Sequence, residues 1–328
     1  MDCHTKNTMS WLNLVFQGLI LLLGLFILGK SAHFVVTVVT QIGHRLRLSQ
    51  FITGFIILGV ATSTPEIFVG IQSAISGTPQ LSLGNLFGAN IVLLTLISGL
   101  AAILNHGMNV KAEMAHNHRL LQISLLILAP LILLVDSSLS RLDALFLVVM
   151  YVGYLIYTYK QRPADSPPLD RPLIDHKTWH VAFLAVIGLL GLVVSARAVV
   201  VTGVNIAALL HIPSLIVGTL LLSLGTNLPE LSVVFAAIRH HHPNLVVGDV
   251  LGSASTNTLV IALLGLISPF VISEWAILES AGIMMIVVLG VFFYFAKSKD
   301  KLSLGEGLVL VGLYIAFLTS QVASLYLR

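Results

Sequence analysis

GVATSTPE at residues 59–66 and SLGTNLPE at residues 223–230 are two copies of one motif. The likeness continues without a gap to a second pair of segments, GNLFGAN at 84–90 and GDVLGSA at 248–254. The offset between the copies is 164 residues throughout, which is half of the 328-residue chain. Identical residues at this offset include Thr62 and Thr226, Pro65 and Pro229, Glu66 and Glu230, Pro79 and Pro243, Gly84 and Gly248, and Gly88 and Gly252. We therefore interpret the chain as a duplicated unit.

The composition is that of an integral membrane protein. Hydrophobic residues make up 57% of the chain and charged residues 9%, with a mean hydropathy of +0.99. Soluble domains carry about 25% charged residues. A transmembrane helix needs about 20 apolar residues, and the long continuous runs differ from the short alternating strands of a membrane β-barrel. The sequence predicts an all-α fold with ten transmembrane helices, near residues 11–40, 50–76, 81–104, 119–135, 140–160, 178–204, 212–239, 244–267, 271–296 and 303–326.

The duplication divides the chain into two repeats of five helices. The first repeat covers residues 1–160 with its motifs in 54–101, and the second covers 178–328 with its motifs in 217–267. Between them, residues 161–177 form a short, proline-rich polar segment with the composition of a cytoplasmic linker. Because five is an odd number, the second repeat should enter the membrane inverted relative to the first. Inverted repeats are typical of alternating-access transporters, which bind their substrate near the midplane.

Lysine and arginine predict the orientation in the cell membrane. Cytoplasmic loops retain an excess of these residues, and they concentrate in the odd-numbered loops between the predicted helices. The opposite side has only Lys6, Arg141 and Arg328. Both termini are therefore predicted to lie on the non-cytoplasmic side. The sequence pI of about 9.0 reflects this topology, and we expect no nucleic-acid partner.

The two motif glutamates carry the chemistry. An ionised side chain at the bilayer centre costs at least about 2.5 to 3.5 kcal/mol, and neither repeat core offers a basic residue to pair with Glu66 or Glu230. A hard cation such as Ca²⁺, which takes 6 to 8 oxygen ligands, would compensate them. The preceding prolines remove a helix hydrogen bond, which should free the carbonyls of Ala61 and Gly225. Further oxygens lie close in sequence, on Thr62, Ser63, Ser223, Thr226 and Asn227. The alternative is a pair of protonated carboxyls bonded to a neighbouring helix.

The paired segments resemble the α-1 and α-2 repeats of the calcium/cation antiporter superfamily, best known through sodium/calcium exchangers. The family pattern is G-T-S-x-P-E followed by G-N/D-x-x-G-S-N. The resemblance implies that Glu66 with Thr62, and Glu230 with Thr226, bind Ca²⁺ and Na⁺ alternately. The metal ligand set expected on this basis is Glu66, Glu230, Thr62, Thr226, Ser63, Asn227, Ser223, Gly59, Ser253 and Asn257. The expected partners are inorganic cations and the lipid bilayer, with no cofactor beyond the transported ions.

Departures from the family pattern leave the coupling ion open. Ala89 stands where the family has a ligand serine, which the second copy keeps as Ser253. Four residues further on, the first copy has Leu93 and the second has Asn257. Potassium-dependent members of the superfamily typically have aspartate at the position of Asn257, so the resemblance argues against potassium dependence. The number of Na⁺ sites is thereby in question. Protons would replace Na⁺ if the glutamates carried them, since a low dielectric favours a neutral carboxyl.

Three functions remain open at this stage. The first is a secondary active antiporter that exchanges Ca²⁺, or a related divalent cation, for Na⁺. The alternatives are an H⁺-coupled cation exchanger and a non-transporting membrane sensor that kept the fold. The chain has no nucleophile–base pair, phosphate-binding loop or cofactor fingerprint, so we do not expect an enzyme. Asn85 and Asp249, which follow Gly84 and Gly248, would either line an access path or cap a helix start.

Overall fold

The computed structural model describes residues 3–45, 55, 59–109, 116–160, 178–239, 243–272, 275–298 and 301–326. The predicted linker at 161–177 lies outside the described residues, as do residues 54 and 56–58 of the first motif region. The elements of the first half are α1 (Cys3–Arg45), α2 (Gly59–Thr62), α3 (Thr64–Ile75), α4 (Pro79–Ile91), α5 (Ser98–Leu104), strand β1 (Met108–Asn109), α6 (His116–Asp136), strand β2 (Ser138–Leu139) and α7 (Arg141–Lys160). A π-helical stretch, Val92–Ile97, joins α4 to α5.

The second half has a matching series of elements. They are α8 (Thr178–Leu210), α9 (Ser214–Val217), α10 (Ser223–Thr226), α11 (Leu228–Arg239), α12 (Pro243–Ile267), strand β3 (Phe270–Val271), α13 (Trp275–Ser298), strand β4 (Lys301–Leu302) and α14 (Leu304–Tyr326). A π-helical stretch, Gly218–Leu222, joins α9 to α10. Helices α2 and α3 start and end 164 residues before α10 and α11, and α4 and α12 start at the same offset, at Pro79 and Pro243.

The helices confirm an all-α, multi-pass membrane protein. Within the described residues, eight helical stretches are long and apolar enough to cross a membrane, and Leu120–Asp136 is a shorter apolar helix. The predicted span at 50–76 falls partly on residues outside the described ranges. The count of ten spans therefore stays a prediction.

One stretch of each half crosses the centre of the molecule. In the most apolar part of Pro79–Leu104, 83% of the residues are buried, and in Val246–Ile267 the share is 78%. The corresponding share in Leu12–Val35, within α1, is 22%. Helix α1 packs lengthwise against α8 instead, so these two helices form a peripheral pair.

The motif prolines break two of the helices at equivalent positions. Proline lacks an N–H and fits a helix only in its first turn. Accordingly α2 ends before Ser63 and α3 restarts after it with Pro65 in its first turn. The same break falls at Asn227, between α10 and α11, where Pro229 lies in the first turn. Each break places a motif glutamate in the first turn of the second helix.

Glycines allow the broken helices to cross the central ones in direct backbone contact. A Cβ added at Gly218 would collide with the carbonyl oxygen of Leu81 in α4, and one at Gly84 with that of Leu215 in α9. On the other side of the molecule, a Cβ at Gly59 would lie 2.7 Å from the backbone of Gly252 in α12. Small residues at membrane-helix interfaces permit such close approach. The two crossings bring the broken helices of each half against the central helix of the other half.

Gly218→Ala should therefore destabilise the fold by about 3 kcal/mol or more, because the atom that it meets is backbone and cannot rotate away. The matched control is Gly312→Ala in α14, where an added Cβ meets nothing within 4 Å. That change should stabilise the helix by about 0.5 to 1 kcal/mol. Thermal unfolding of the purified variants in detergent measures both. Equal melting temperatures for the two variants would contradict the crossing described above.

Contacts recur in reciprocal pairs at the 164-residue offset. A Cβ at Gly24 would lie 3.1 Å from Val199, and one at Gly188 would lie 3.1 Å from Val35. The short strands pair in a similar way but one residue out of this register, since β1 pairs antiparallel with β4 through Met108 and Leu302, and β2 pairs with β3 through Ser138 and Val271. Such reciprocity is the contact pattern of a twofold axis.

Candidate cation site

The structure brings the two predicted glutamates together at the helix breaks. Glu66 and Glu230 are each 1% exposed and close enough to interact electrostatically. Asp249, in α12, is fully buried and interacts electrostatically with Glu230. All of these electrostatic neighbours of Glu230 are acidic, so the site concentrates negative charge.

Each glutamate lies beside a threonine of the opposite half. Thr226 is next to Glu66, and Thr62 is next to Glu230. Both threonines end their helices immediately before the breaks. The C-terminal end of a helix carries partial negative charge, which suits a cation. The site is therefore assembled from both halves, with a carboxyl from one and a helix end from the other on each side.

The threonine hydroxyls also bond to polar side chains of the central helices. Thr62 Oγ1 donates to Asp249 Oδ1 at 3.1 Å, and Thr226 Oγ1 donates to Asn85 Oδ1 at 3.1 Å. These two bonds are reciprocal at the 164-residue offset. Each threonine hydroxyl therefore lies between a glutamate of the other half and a polar side chain of a central helix.

Several buried carboxyl oxygens lack a hydrogen-bond partner. Among the described residues, both Oε atoms of Glu66, Oε2 of Glu230 and Oδ2 of Asp249 have no hydrogen-bond partner. A buried charge without compensation costs several kcal/mol, so these oxygens call for a cation or for protons. Among the residues that the structure describes, no three His, Cys, Asp or Glu side chains are grouped closely enough to hold a metal ion by themselves. A bound Ca²⁺ would therefore need hydroxyl, amide or carbonyl oxygens as well.

Hydroxyl and carbonyl oxygens lie together around Thr62. Ser253 Oγ lies 2.9 Å from Thr62 Oγ1 and donates to the carbonyl of Gly59 at 3.3 Å. We call the group formed by Gly59, Thr62, Glu230, Asp249 and Ser253 the complete oxygen set. Every member carries an oxygen of a type that hard cations bind.

The residues 164 positions away form the incomplete oxygen set, which consists of Ser223, Thr226, Glu66, Asn85 and Ala89. Ala89 brings a methyl group where Ser253 brings a hydroxyl, and Asn85 brings a neutral amide where Asp249 brings a carboxylate. The first replacement removes an oxygen and the second removes a negative charge from this side. The site is therefore asymmetric although the backbone around it repeats.

The residues at the two helix breaks differ in type, and among the described residues Ser63 Oγ and Asn227 Oδ1 both lack a hydrogen-bond partner. Asn227 Nδ2 donates to the carbonyl of Ser223 at 2.6 Å, and Ser223 Oγ donates to the carbonyl of Thr219 at 2.6 Å. The Ser223 carbonyl is thus engaged, and so is its counterpart, the Gly59 carbonyl, which accepts from the backbone N–H of Ser63 and from Ser253 Oγ, both at 3.3 Å. Ser63, the counterpart of Asn227, is buried, and within the described residues its hydroxyl has no partner.

The central helices α4 and α12 also share a buried polar pair. Asn257 Nδ2 donates to Asn90 Oδ1 at 2.7 Å, and among the described residues Asn257 Oδ1 and Asn90 Nδ2 have no partner. The residues at the 164-residue offset are Leu93 and Ala254, which are apolar. The sequence analysis did not predict a role for Asn90. Its position directly after Ala89 in the motif GNLFGAN was the available signal.

The expectation of free carbonyls was wrong. The Ala61 carbonyl accepts a hydrogen bond from Thr64 Oγ1 at 2.8 Å, and the Gly225 carbonyl accepts one from the backbone N–H of Asn227. The prolines do remove the usual donors, but a side chain and a tightened turn replace them. Neither carbonyl is a free ligand.

The capping alternative for Asn85 and Asp249 was also wrong. Helix α4 begins at Pro79 and α12 at Pro243, so both side chains lie more than a turn inside their helices. Their hydrogen bonds with the motif threonines place them in the site itself.

Comparisons with known proteins agree with this geometry. The sequence profile of the sodium/calcium exchanger protein family matches residues 16–160 and 180–323. The sodium/calcium exchanger MaX1 of Methanosarcina acetivorans is 27% identical over 92% of this chain and 97% of its own length. The inner membrane protein YrbG of Escherichia coli is 26% identical over 91% of this chain and 94% of its own.

The fold leads to the same relatives. A solved structure of the sodium-calcium exchanger NCX_Mj superposes with a TM-score of 0.67 and 25% identity, over 93% of this chain and 98% of that chain. The resemblance to the calcium/cation antiporter superfamily is thereby confirmed. The chain belongs to the sodium/calcium exchanger protein family.

Proposed function

We propose that this protein is a secondary active antiporter that exchanges Ca²⁺, or a related divalent cation, for Na⁺ by alternating access. Glu66 and Glu230 are its central ion ligands. The observation that carries the proposal is the set of buried carboxyl oxygens without hydrogen-bond partners among the described residues. A divalent ion compensates two such carboxylates without any basic residue.

The remaining ligands are oxygens close to the two glutamates. Hard cations bind carboxylate, hydroxyl, amide and carbonyl oxygens. The residues that we assign to this role are Thr62, Thr226, Ser63, Asn227, Ser223, Gly59, Ser253 and Asn257. All of them are buried or border the central helix crossings.

We further propose that ten spans form two inverted five-helix repeats, residues 1–160 and 178–328, with both termini on the non-cytoplasmic side. The reciprocal contacts described above support a twofold relation between the repeats. Two broken helices that meet at buried ligands are also typical of transporters built from inverted repeats.

Coupling would arise from competition between ions for the same oxygens. Ca²⁺ and Na⁺ cannot both occupy the site around Glu66 and Glu230, so each displaces the other. Helices α1 and α8 are a candidate moving unit, because they pack on each other and lie largely outside the buried centre. Their rearrangement against the rest of the bundle would open the site to one side of the membrane and then to the other.

Purified protein in liposomes tests the driving ion. We expect ⁴⁵Ca²⁺ uptake into Na⁺-loaded vesicles and none into vesicles with equal Na⁺ on both sides. Uptake driven by a pH gradient at equal Na⁺ would overturn the Na⁺ assignment in favour of H⁺. Ca²⁺ binding by isothermal titration without uptake under either gradient would overturn transport altogether and favour a sensor.

A further inference from the structure

A groove of about 390 Å³ lies on the outside of the bundle, away from the cation site. It runs between α6 and α13, which pack against each other. Its walls are apolar apart from one lysine at one end, and they include Leu120, Ile127, Ile286, Gly290, Tyr294 and Lys297. The volume falls within the range of small-molecule pockets, about 300 to 1,000 Å³.

The groove is as long as one leaflet of the bilayer is thick. Ile286 and Lys297 are eleven residues apart on α13, which corresponds to about 16 Å at 1.5 Å per residue. Half of the hydrocarbon core is about 15 Å. Lys297 lies in the last turn of its helix, so the groove extends from the level of the lipid head groups toward the midplane.

Charge and shape at the two ends differ. At the outer end, Lys297 and the exposed ring of Tyr294, one turn below it, form a polar rim. Deeper in the groove, Gly290 leaves a gap, since a Cβ added there would meet nothing within 4 Å. A polar, cationic rim above a narrow apolar channel complements a molecule with an anionic head and a hydrocarbon tail.

We propose that this groove is a binding site for an anionic phospholipid. One acyl chain lies along the groove past Gly290, and the phosphate contacts the ammonium group of Lys297. Basic positions near the membrane surface attract anionic lipids, and the apolar walls hold the chain. The site is independent of the ion ligands, so its test does not depend on exchange activity.

Two variants separate the role of the lipid's acyl chain from that of its head group. Gly290→Leu fills the gap without a clash, and Gly153→Leu is its control, since that helical glycine also has nothing within 4 Å of an added Cβ. Lys297→Gln removes the charge, and Lys301→Gln is the control with the same change in net charge outside the groove. Circular dichroism and thermal unfolding confirm that all four variants fold.

Each variant is incorporated into vesicles of mixed phosphatidylglycerol and phosphatidylcholine and is then extracted again in detergent. Native mass spectrometry counts the phospholipid molecules that stay bound to the protein. Wild type should retain phosphatidylglycerol over phosphatidylcholine by about 5-fold. Lys297→Gln should lose this preference, Gly290→Leu should lose the bound lipid of both kinds, and the two controls should behave as wild type.

Other outcomes would overturn the proposal. These outcomes are that wild type binds no lipid after extraction, that wild type binds both lipids equally, or that Gly290→Leu and Gly153→Leu retain equal amounts of lipid. A change of oligomeric state in Gly290→Leu with unaltered lipid binding would assign the groove to a second copy of the chain.

Discussion

Glu66→Gln and Glu230→Gln should each abolish Ca²⁺ exchange and lower Ca²⁺ affinity by about 1,000-fold. Two unit charges 4 Å apart interact by about 4 kcal/mol at an effective dielectric of 20, and a divalent ion at ligand distance gains at least that from a carboxylate. A loss of about 4 kcal/mol corresponds to roughly three orders of magnitude in the dissociation constant. Isothermal titration and ⁴⁵Ca²⁺ flux measure the two effects.

The control for this pair is Glu279→Gln in α13, a carboxyl that is exposed and distant from the helix breaks. It should leave affinity and flux unchanged. Glutamine keeps the size of the side chain and removes a buried charge, so we expect the ion-free variants to be at least as stable as wild type.

Stability in the presence of Ca²⁺ distinguishes ligands from packing residues. At a Ca²⁺ concentration 100 times its dissociation constant, binding should stabilise wild type by about 2.7 kcal/mol. Glu66→Gln and Glu230→Gln should lose this stabilisation, while Glu279→Gln keeps it. If Ca²⁺ raised the melting temperature of Glu66→Gln as much as that of wild type, Glu66 would not be an ion ligand.

The parts of this protein that sequence predicted well depend on local chemistry. A proline in an apolar helix has few places to fit, so Pro65 and Pro229 predict where the helices restart, and a glutamate beside each proline predicts a polar site there. The repeat adds a second constraint, because whatever holds at Glu66 should hold at Glu230. These features can be predicted without knowing which helices contact each other.

The rest depends on contacts between distant parts of the chain. The bond between Thr62 and Asp249 joins residues 187 positions apart, and the Asn90–Asn257 bond spans 167. Nothing local to Asp249 distinguishes a cap from a site residue until the crossing of α2 with α12 is known. The hydrogen bond to the Ala61 carbonyl depends on the rotamer of Thr64. A sequence pattern does not predict the rotamer of a single side chain.

The asymmetry between the two oxygen sets predicts different effects for equivalent substitutions. Ser253→Ala removes a hydroxyl from the complete oxygen set and should raise the Na⁺ concentration for half-maximal exchange by about 10-fold, equivalent to one lost ligand of about 1.4 kcal/mol. The control is Ser255→Ala, two residues along α12, whose buried hydroxyl donates to the Leu251 carbonyl instead. It should change the Na⁺ dependence little.

The reverse change should add a cation ligand. Ala89→Ser combined with Leu93→Asn gives the incomplete oxygen set the side chains that Ser253 and Asn257 supply opposite. If wild type binds Na⁺ mainly on the complete side, the double variant should bind one more Na⁺ per cycle. Exchange would then depend more steeply on Na⁺ concentration and more strongly on membrane potential, both measured as ⁴⁵Ca²⁺ flux in liposomes clamped with K⁺ and valinomycin. An unchanged slope and voltage dependence, in a variant that still transports, would show that the methyl and isobutyl groups at these positions do not limit the number of coupled ions.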